Sequence, residues 1–271
     1  MEKIEDFLEV LPNPNSEIYE LFLLQDESFD TDKLIKIVQG NSFLVNRILY
    51  LANSRYFGFN SKIHSPSKAI NLYGINFCSS ICVCEIVLDS LKFDLKAYRV
   101  GFFEFRRLLD ISLKFVFEFL NINEANIKEE IIIPLFLQHI GKFIISAYLG
   151  KHDKISYFKT QVAQSNIQVA EYKSTKYNSN ELSYEILRKW AFPNRILKYI
   201  YSTIDTTAYQ TNKVCQILNI INLLFELNNT LTDKSIQTAI FKLKEYGFET
   251  EKFKVLIKKY KKEYYKVDKN G

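Results

Sequence analysis

Turn-forming residues are scarce in this sequence, which has 8 Gly and 5 Pro among 271 residues. Because glycine and proline mark most turns and loops, their scarcity favours a fold made of helices. Hydrophobic residues make up 47% of the chain and aromatic residues 15%, enough for a sizeable core. The sequence also lacks strand-like alternation, internal repeats and low-complexity tracts. We therefore predict an all-α fold.

Cysteine is rare as well, and its four positions match no familiar metal-binding spacing. Cys78, Cys82 and Cys84 lie in one apolar helical run, whereas Cys215 lies far along the chain. A zinc site would need a closing set of ligands, and no Cys-x-x-Cys pair or nearby histidine supplies one. We expect small buried thiols and a cytoplasmic protein.

Signatures of common enzyme classes and of secretion are also missing. The sequence contains no GxGxxG, no P-loop and no GxSxG elbow, so it indicates neither a nucleotide-binding loop nor a serine hydrolase. The first residues, MEKIEDFLEV, are acidic and lack the basic and apolar regions of a signal peptide. An apolar stretch at 131–149 carries Gln138, His139 and Lys142 near its centre, so we expect a buried core helix there.

The positive net charge of +5 is concentrated at the end of the chain. Residues 251–271 hold eight lysines and three acidic residues, so the rest of the chain is close to neutral. Apolar residues in this segment recur at helical spacing, which predicts an amphipathic helix with the lysines on its outer face. We interpret that face as solvated, and we expect neither nucleic acid nor a membrane as partner.

Two groups of residues resemble one family of bacterial signalling domains. In the first half, LANSRYFG (51–58) is followed at the right distance by I-x-S-x-x-x-A-I-x-x-x-G (63–74). In the second half, LFLQHIGK (135–142) is followed by ELSYEILRKWAFP (181–193). Together these motifs resemble the HDOD domain, the HD-related output domain, over residues 8–225.

The resemblance to HDOD domains implies a two-lobed helical fold. A charge-richer interruption near 92–101 suggests where one lobe ends. We expect an N-terminal helical lobe at 1–95. An HD-like lobe at 96–271 would then end in the basic amphipathic helix.

The LANSRYFGF motif has two interpretations. In the structural one, Asn and Ser end a helix by bonding to its backbone, and the aromatic residues pack where the chain turns. In the functional one, the motif presents a surface that contacts another protein. The residues of this candidate interaction surface are Asn53, Ser54, Arg55, Tyr56 and Phe57.

The second half resembles, more distantly, the HD phosphohydrolases, which hold one or two metal ions with His and Asp side chains. The resemblance places other residues at the corresponding positions. These are Ile111, the pair Gln138-His139, Ser179 or Asn178, residues near Ser202, and Asn222. We therefore expect no catalytic or metal-binding residues, since metal-assisted hydrolysis needs a set of ligands that these residues do not supply. A degenerate cleft would be lined by Ile111, Gln138, His139, Lys142, Ser179 and Ser202.

These observations suggest a regulatory protein rather than an enzyme. The resemblance implies signal transduction through contact with a separate signalling or regulatory protein, without a cofactor. The alternative is a sensor that binds a nucleotide or phosphorylated small molecule in the degenerate cleft without hydrolysing it. Lys142 and Arg188 would suit such a phosphate.

Overall fold

A computed structural model describes residues 3–26, 30–54, 62–91, 94–121, 124–205, 207 and 211–267. Over these ranges the chain forms α-helices, turns and short 3-10 segments, and it contains no strand. The predicted all-α fold is confirmed. The chain divides into two compact units. The smaller unit is Leu11–Lys92, and the larger unit combines Met1–Val10 with Phe93–Gly271.

The first helix belongs to the larger unit, although the sequence prediction placed residues 1–95 together. Helix α1 (Ile4–Glu9) packs against the helix that carries Tyr148, and the ring centroids of Phe7 and Tyr148 are 5.7 Å apart. The first ten residues therefore group with a segment more than a hundred residues away. The division after Lys92 lies close to the predicted lobe boundary at 95.

Over its described residues, the smaller unit contains five helices. They are α2 (Glu17–Asp26), α3 (Thr31–Gly40), α4 (Ser42–Asn53), α5 (Pro66–Tyr73) and α6 (Ile75–Ser90). Ser65 caps α5 as its sequence signal predicts, and Pro66 fills the first helical position. Gly74 joins α5 to α6 with a φ of 85°, a conformation that favours glycine. Helix α6 begins directly after this glycine, at Ile75.

Helix α6 is buried on nearly all sides and forms the centre of the smaller unit. It holds the buried thiols predicted from the sequence, and burial raises the pKa of Cys78 to about 12. A thiol held in its protonated form is a poor nucleophile and a poor metal ligand. Glu85, also on α6, accepts a hydrogen bond of 2.7 Å from Nε of Arg47 on α4, and both side chains are buried.

In the part of the larger unit that the structure describes, ten further helices follow α1. They are α7 (Phe102–Phe119), α8 (Ala125–Leu137), α9 (Gly141–Lys151), α10 (Ile155–Gln164), α11 (Ile167–Thr175), α12 (Ser179–Lys189), α13 (Asn194–Tyr201), α14 (Lys213–Leu224), α15 (Asp233–Glu245) and α16 (Glu251–Val267). A 3-10 turn, Lys96–Tyr98, precedes α7. Helix α12 begins at a capping box, in which the side chains of Asn178 and Glu181 bond to each other's backbone N–H groups.

The lysine-rich α16 packs as the predicted amphipathic helix. Phe253, Ile257 and Tyr260 are buried along its inner face. Two of its lysines reach carboxylates on neighbouring helices: Lys259 pairs with Glu118 of α7, and Lys261 pairs with Asp233 of α15. Ion pairs within the protein therefore neutralise part of this positive face.

The apolar stretch 131–149 is buried as predicted, but it forms two helices instead of one. Helix α8 ends at Leu137, a turn covers 138–140, and α9 begins at Gly141. By length and composition, Ala125–Lys151 could span a membrane, yet 89% of its apolar window is buried within the protein. The helices α5 and α6 pass that test only as a pair, bent by 119°. Such burial is typical of core helices in a soluble domain.

Gly141 begins α9 at a point of very close contact with α12. A Cβ atom at this position would lie 2.1 Å from the carbonyl oxygen of Ser179 and 2.9 Å from Cβ of Leu182. No side chain fits at these distances, so the absence of one at Gly141 sets the separation of the two helices. By contrast, a Cβ atom at Gly150 of the same helix would meet nothing closer than 3.9 Å.

We predict that Gly141→Ala will destabilise the larger unit by at least about 1–3 kcal/mol, because backbone must move to admit the methyl group. The matched variant Gly150→Ala should be neutral or stabilising by up to about 1 kcal/mol, since alanine is the better helix former. Urea unfolding can be followed by fluorescence, because Trp190 is the only tryptophan and is buried in this unit. Equal effects of the two substitutions would contradict the prediction.

Candidate functional site

Lys142 and Glu171 form a buried ion pair at the centre of the candidate site. Nζ of Lys142, in the first turn of α9, lies 3.2 Å from Oε1 of Glu171 on α11. The side chain of Glu171 is completely buried, and Lys142 is 6% exposed. A buried pair of charges is tolerated only where further hydrogen bonds satisfy both groups.

Those further hydrogen bonds are present on both carboxylate oxygens of Glu171. The hydroxyl of Tyr98 donates to Oε1 over 2.8 Å, and the backbone N–H of Ser179 donates to Oε2 over 2.8 Å. Burial raises the pKa of Tyr98 well above its usual value, and the charge of Glu171 raises it further. The phenol therefore remains protonated and acts as a donor to the carboxylate.

Lys142 has two further contacts besides Glu171. Its ammonium group donates to Oγ of Ser179 over 2.9 Å and lies 5.3 Å from the ring centroid of Tyr98. The positive charge is thus surrounded by a carboxylate, a hydroxyl and an aromatic face. We name these four residues, Tyr98, Lys142, Glu171 and Ser179, the Lys142–Glu171 network.

Ser183 of α12 connects this network to the turn before α9. Its Oγ accepts a hydrogen bond of 2.9 Å from the backbone N–H of Gly141. Its single proton lies between the carbonyl oxygens of Gln138 and Ser179, each 2.8 Å away. One hydroxyl therefore satisfies backbone groups on both sides of the close helix contact.

Gln138 and His139 occupy the turn between α8 and α9. Nε2 of Gln138 donates to the carbonyl of Leu135 over 3.3 Å. Its Oε1 and Nδ1 of His139 are buried and have no hydrogen-bond partner among the described residues. Burial, together with the positive charge of Lys142, lowers the pKa of His139 to about 3. The imidazole is therefore neutral over the physiological range.

The structure brings together only part of the predicted cleft. Lys142 and Ser179 are in direct contact, but Ile111 is an apolar residue buried on α7 and offers no polar atom. Ser202 donates to the carbonyl of Tyr199 over 2.7 Å, one turn back along the chain. Arg188 is exposed and pairs with Glu185, so it is not part of this buried network.

The candidate interaction surface is described only at its first two residues. Nδ2 of Asn53 donates to the carbonyls of Leu49 and Ile63, and its Oδ1 accepts from the N–H of Ile63, each over 2.8 Å. Oγ of Ser54 donates to the carbonyl of Leu51 over 2.7 Å. Both side chains have structural partners within the chain. The remaining residues, Arg55, Tyr56 and Phe57, lie outside the described residues.

Two residues of this network were not predicted from the sequence: Glu171, the partner of Lys142, and Tyr98, which donates to its carboxylate. A signal for Glu171 was present, because Ile167, Ala170, Glu171 and Ser174 share one face of α11 at helical spacing. All four are buried. A glutamate on the apolar face of a helix indicates a buried cationic partner. Nothing in the local sequence around Tyr98 indicates its role.

A family model for the HDOD domain matches residues 8–205 of this chain. The chain belongs to the HDOD family. The resemblance inferred from LANSRYFG and LFLQHIGK is thereby confirmed. No curated protein matches the sequence significantly.

Solved structures share the HDOD fold at low sequence identity. An HDOD domain protein of unknown function from Geobacter sulfurreducens has a TM-score of 0.68 at 15% identity, covering 97% of this chain and 94% of its own. A provisionally named phosphohydrolase from Shewanella amazonensis has a TM-score of 0.66 at 16% identity, with coverage of 96% and 93%. A provisionally named signal transduction protein from Marinobacter aquaeolei has a TM-score of 0.63 at 13% identity, with coverage of 97% and 58%.

The side chains at the aligned positions do not fit a metal ion of the HD type. Ile111 has no donor atom, and the amide of Gln138 is a weak ligand. At Ser179, the ammonium of Lys142 already lies 2.9 Å from the hydroxyl oxygen. A divalent cation there would be repelled by this charge in a site screened poorly by water. Among the described residues, no group of three or more His, Cys, Asp and Glu side chains is arranged to hold a metal.

We predict that Lys142→Met will destabilise the larger unit by about 3–5 kcal/mol, because it leaves the carboxylate of Glu171 buried without a counter-ion. The double variant Lys142→Met/Glu171→Gln should recover part of this loss, since it removes both charges. Urea unfolding followed by Trp190 fluorescence measures both.

Arg188→Met provides a control for loss of a positive charge, because its ion pair with Glu185 is exposed. We expect an unchanged unfolding midpoint for this control. A double variant no more stable than Lys142→Met would show that the pairing of the two charges is not what stabilises the unit.

We also predict that His139 makes stability dependent on pH. Its pKa is about 3 in the folded protein and about 6.5 in an unfolded chain, so between these values the unfolded state binds the extra proton. Folded-state stability should therefore fall as the pH drops below about 6.5, by up to about 1.4 kcal/mol per pH unit.

The variant His139→Asn should lack this component. Its stability relative to the wild type should rise by about 2 kcal/mol between pH 7 and pH 5 in urea titrations. His64→Asn, at an exposed histidine of the smaller unit, is the control for removal of a histidine as such. A difference between wild type and His139→Asn that stays constant with pH would refute the prediction.

Proposed function

We propose that this HDOD protein is a non-catalytic component of signal transduction that acts by contacting another protein. The observation that supports a non-catalytic role most directly is the Lys142–Glu171 pair. It places a positive charge against Ser179, a position that the HD resemblance aligns with a metal ligand.

The chemistry of hydrolysis explains why this pair matters. HD phosphohydrolases depend on a metal ion to produce a nucleophile at neutral pH and to stabilise negative charge on phosphate. Here the carboxylate that a metal would attract, Glu171, is neutralised by Lys142 and accepts hydrogen bonds on both oxygens. His139 alone does not make a hydrolytic site. The network is therefore a structural arrangement of charges.

Signal transduction is supported by family membership and by the Marinobacter neighbour, which is described as a signal transduction protein. The name of the Shewanella neighbour points instead to phosphohydrolase activity, which the side chains of this chain do not favour. Family resemblance also favours action through protein contact. The candidate surface is the segment that follows α4.

At the start of that segment, the contacts of Asn53 indicate a structural role and not contact with a partner protein. Three hydrogen bonds tie the amide of Asn53 to the backbone of Leu49 and Ile63, so replacing it would alter the fold locally. Arg55, Tyr56 and Phe57 are therefore the better residues with which to test recognition. We propose that they provide the side chains that a partner protein contacts.

A nucleotide sensor remains the second candidate, favoured by the unpaired Gln138 Oε1 and His139 Nδ1. These two buried acceptors could receive hydrogen bonds from a base or sugar. The groups suited to phosphate, however, already have partners: Lys142 pairs with Glu171, and Arg188 pairs with Glu185. We therefore prefer the interaction protein.

Affinity capture from the native organism would test the proposal. Tagged wild type, Arg55→Ala/Tyr56→Ala and the control Lys258→Ala, at an exposed lysine of α16, would be compared by quantitative mass spectrometry. We expect a protein that wild type and control retain and the double variant loses. Purified partner and variants should then reproduce the difference by calorimetry.

The same purified wild type would be assayed for bound metal and for phosphodiester hydrolysis. We expect less than one bound metal ion per chain. Hydrolysis should not exceed that of a control sample treated with a chelator. Stoichiometric metal with hydrolysis that a chelator abolishes would overturn the non-catalytic role. A partner retained equally by the double variant would remove Arg55 and Tyr56 from the proposed surface.

A further inference from the structure

The larger unit contains a second candidate binding site, lined by both apolar and charged residues. The resemblance to HD phosphohydrolases does not predict it. A half-open cavity of about 300 Å³ lies between the 3-10 turn at Lys96–Tyr98, α10 and the start of α11. Its volume is at the small end of the range for ligand pockets. It shares one residue, Tyr98, with the Lys142–Glu171 network.

The inner surface of this cavity is apolar and fixed by packing. Tyr98 and Phe158 meet edge to face with ring centroids 5.2 Å apart, and both are buried. Ile167 is buried beside them, while Val162 and Ala163 form the more exposed wall on α10. An apolar group entering the cavity would therefore meet preformed aromatic and aliphatic surface.

Two positively charged residues, Arg99 and Lys159, also line the cavity. No ion pair to either side chain is found among the described residues, and no carboxylate lines the cavity. Lys96, next to this turn, is paired with Asp94 over 2.6 Å. An apolar cavity with two unpaired positive charges is complementary to an anion that carries an apolar group.

The turn that carries Arg99 is held in an uncommon conformation. Arg99 has a φ of 57°, in the left-handed region that non-glycine residues seldom adopt. Its N–H bonds to the carbonyl of Lys96 over 3.1 Å, and Nδ2 of Asn228 donates to the carbonyl of Tyr98 over 2.8 Å. Strained residues of this kind are concentrated at ligand sites. The surrounding hydrogen bonds fix where the arginine side chain leaves the backbone.

We propose that this cavity binds a small amphipathic carboxylate, with its apolar body against Tyr98, Phe158 and Ile167 and its carboxylate between Arg99 and Lys159. A guanidinium group binds a carboxylate through two parallel hydrogen bonds, and the lysine adds a second positive charge. The amide of Asn228 is engaged by the carbonyl of Tyr98. The two positive charges therefore match one compact anionic head.

The position of Tyr98 gives this site a direct connection to the core of the unit. Its ring forms part of the cavity floor, and its hydroxyl donates to Glu171. A bound ligand would thus lie one side chain away from the Lys142–Glu171 network. This assignment does not depend on the proposed protein partner, because every group involved belongs to the larger unit.

Isothermal titration calorimetry of the full chain with octanoate and with phenylpropionate would test the site. Octanol and phenylpropanol are the uncharged controls, and AMP is the phosphate-headed comparison. We expect one carboxylate per chain with affinity in the millimolar range or tighter. Each alcohol should bind about tenfold more weakly than its acid, and AMP should not bind at this cavity.

Variants locate the binding within the molecule. Arg99→Ala/Lys159→Ala should weaken carboxylate binding about tenfold or more, and Ala163→Phe should abolish it by filling the cavity. Lys258→Ala, a matched loss of surface charge on α16, should have no effect. Circular dichroism melting would show that each variant is folded, since Arg99, Lys159 and Ala163 are not core residues.

Three results would overturn the assignment. These are no binding of either acid at millimolar concentration, equal binding of acids and alcohols, and binding that survives in folded Ala163→Phe. AMP binding that depends on Arg99 and Lys159 would replace the carboxylate with a phosphorylated ligand. None of these results bears on partner capture through Arg55 and Tyr56, so the two proposals fail independently.

Discussion

The larger unit is organised around one electrostatic constraint: a lysine and a glutamate share a space from which water is excluded. Neither Lys142 nor Glu171 is stable there alone, because an isolated ion in such surroundings loses its hydration without compensation. The pair therefore dictates where Tyr98 and Ser179 must lie, since their donors complete the coordination of the carboxylate. Three helices, α9, α11 and α12, and the turn before α7 converge on this point.

The same constraint accounts for the chemical character of the region. A cation fixed beside Ser179 favours neutral neighbours, and His139 is held in its uncharged form by burial and by that charge. Unlike a hydrolytic centre, which concentrates negatively charged ligands around an ion, this arrangement carries its own balanced charges. The polar groups of this network satisfy one another and orient the helices that carry them.

Much of the fold follows from local sequence signals, and the site does not. Ser65-Pro66 marks the start of α5 correctly because a cap involves neighbours only three residues apart. The break between α8 and α9 was not evident, because the apolar run continues through it. The Lys142–Glu171 pair joins residues 29 positions apart, a distance at which local spacing carries no information.

The close approach at Gly141 has a consequence for the way such sequences are interpreted. A glycine followed by lysine after an apolar helix suggests a hydrolase motif, yet here sterics require the glycine and a buried carboxylate requires the lysine. In this chain, helix packing and the buried ion pair are sufficient to account for both residues. A search that relies on this dipeptide therefore detects ancestry, and the donor atoms around it decide whether a protein is an enzyme.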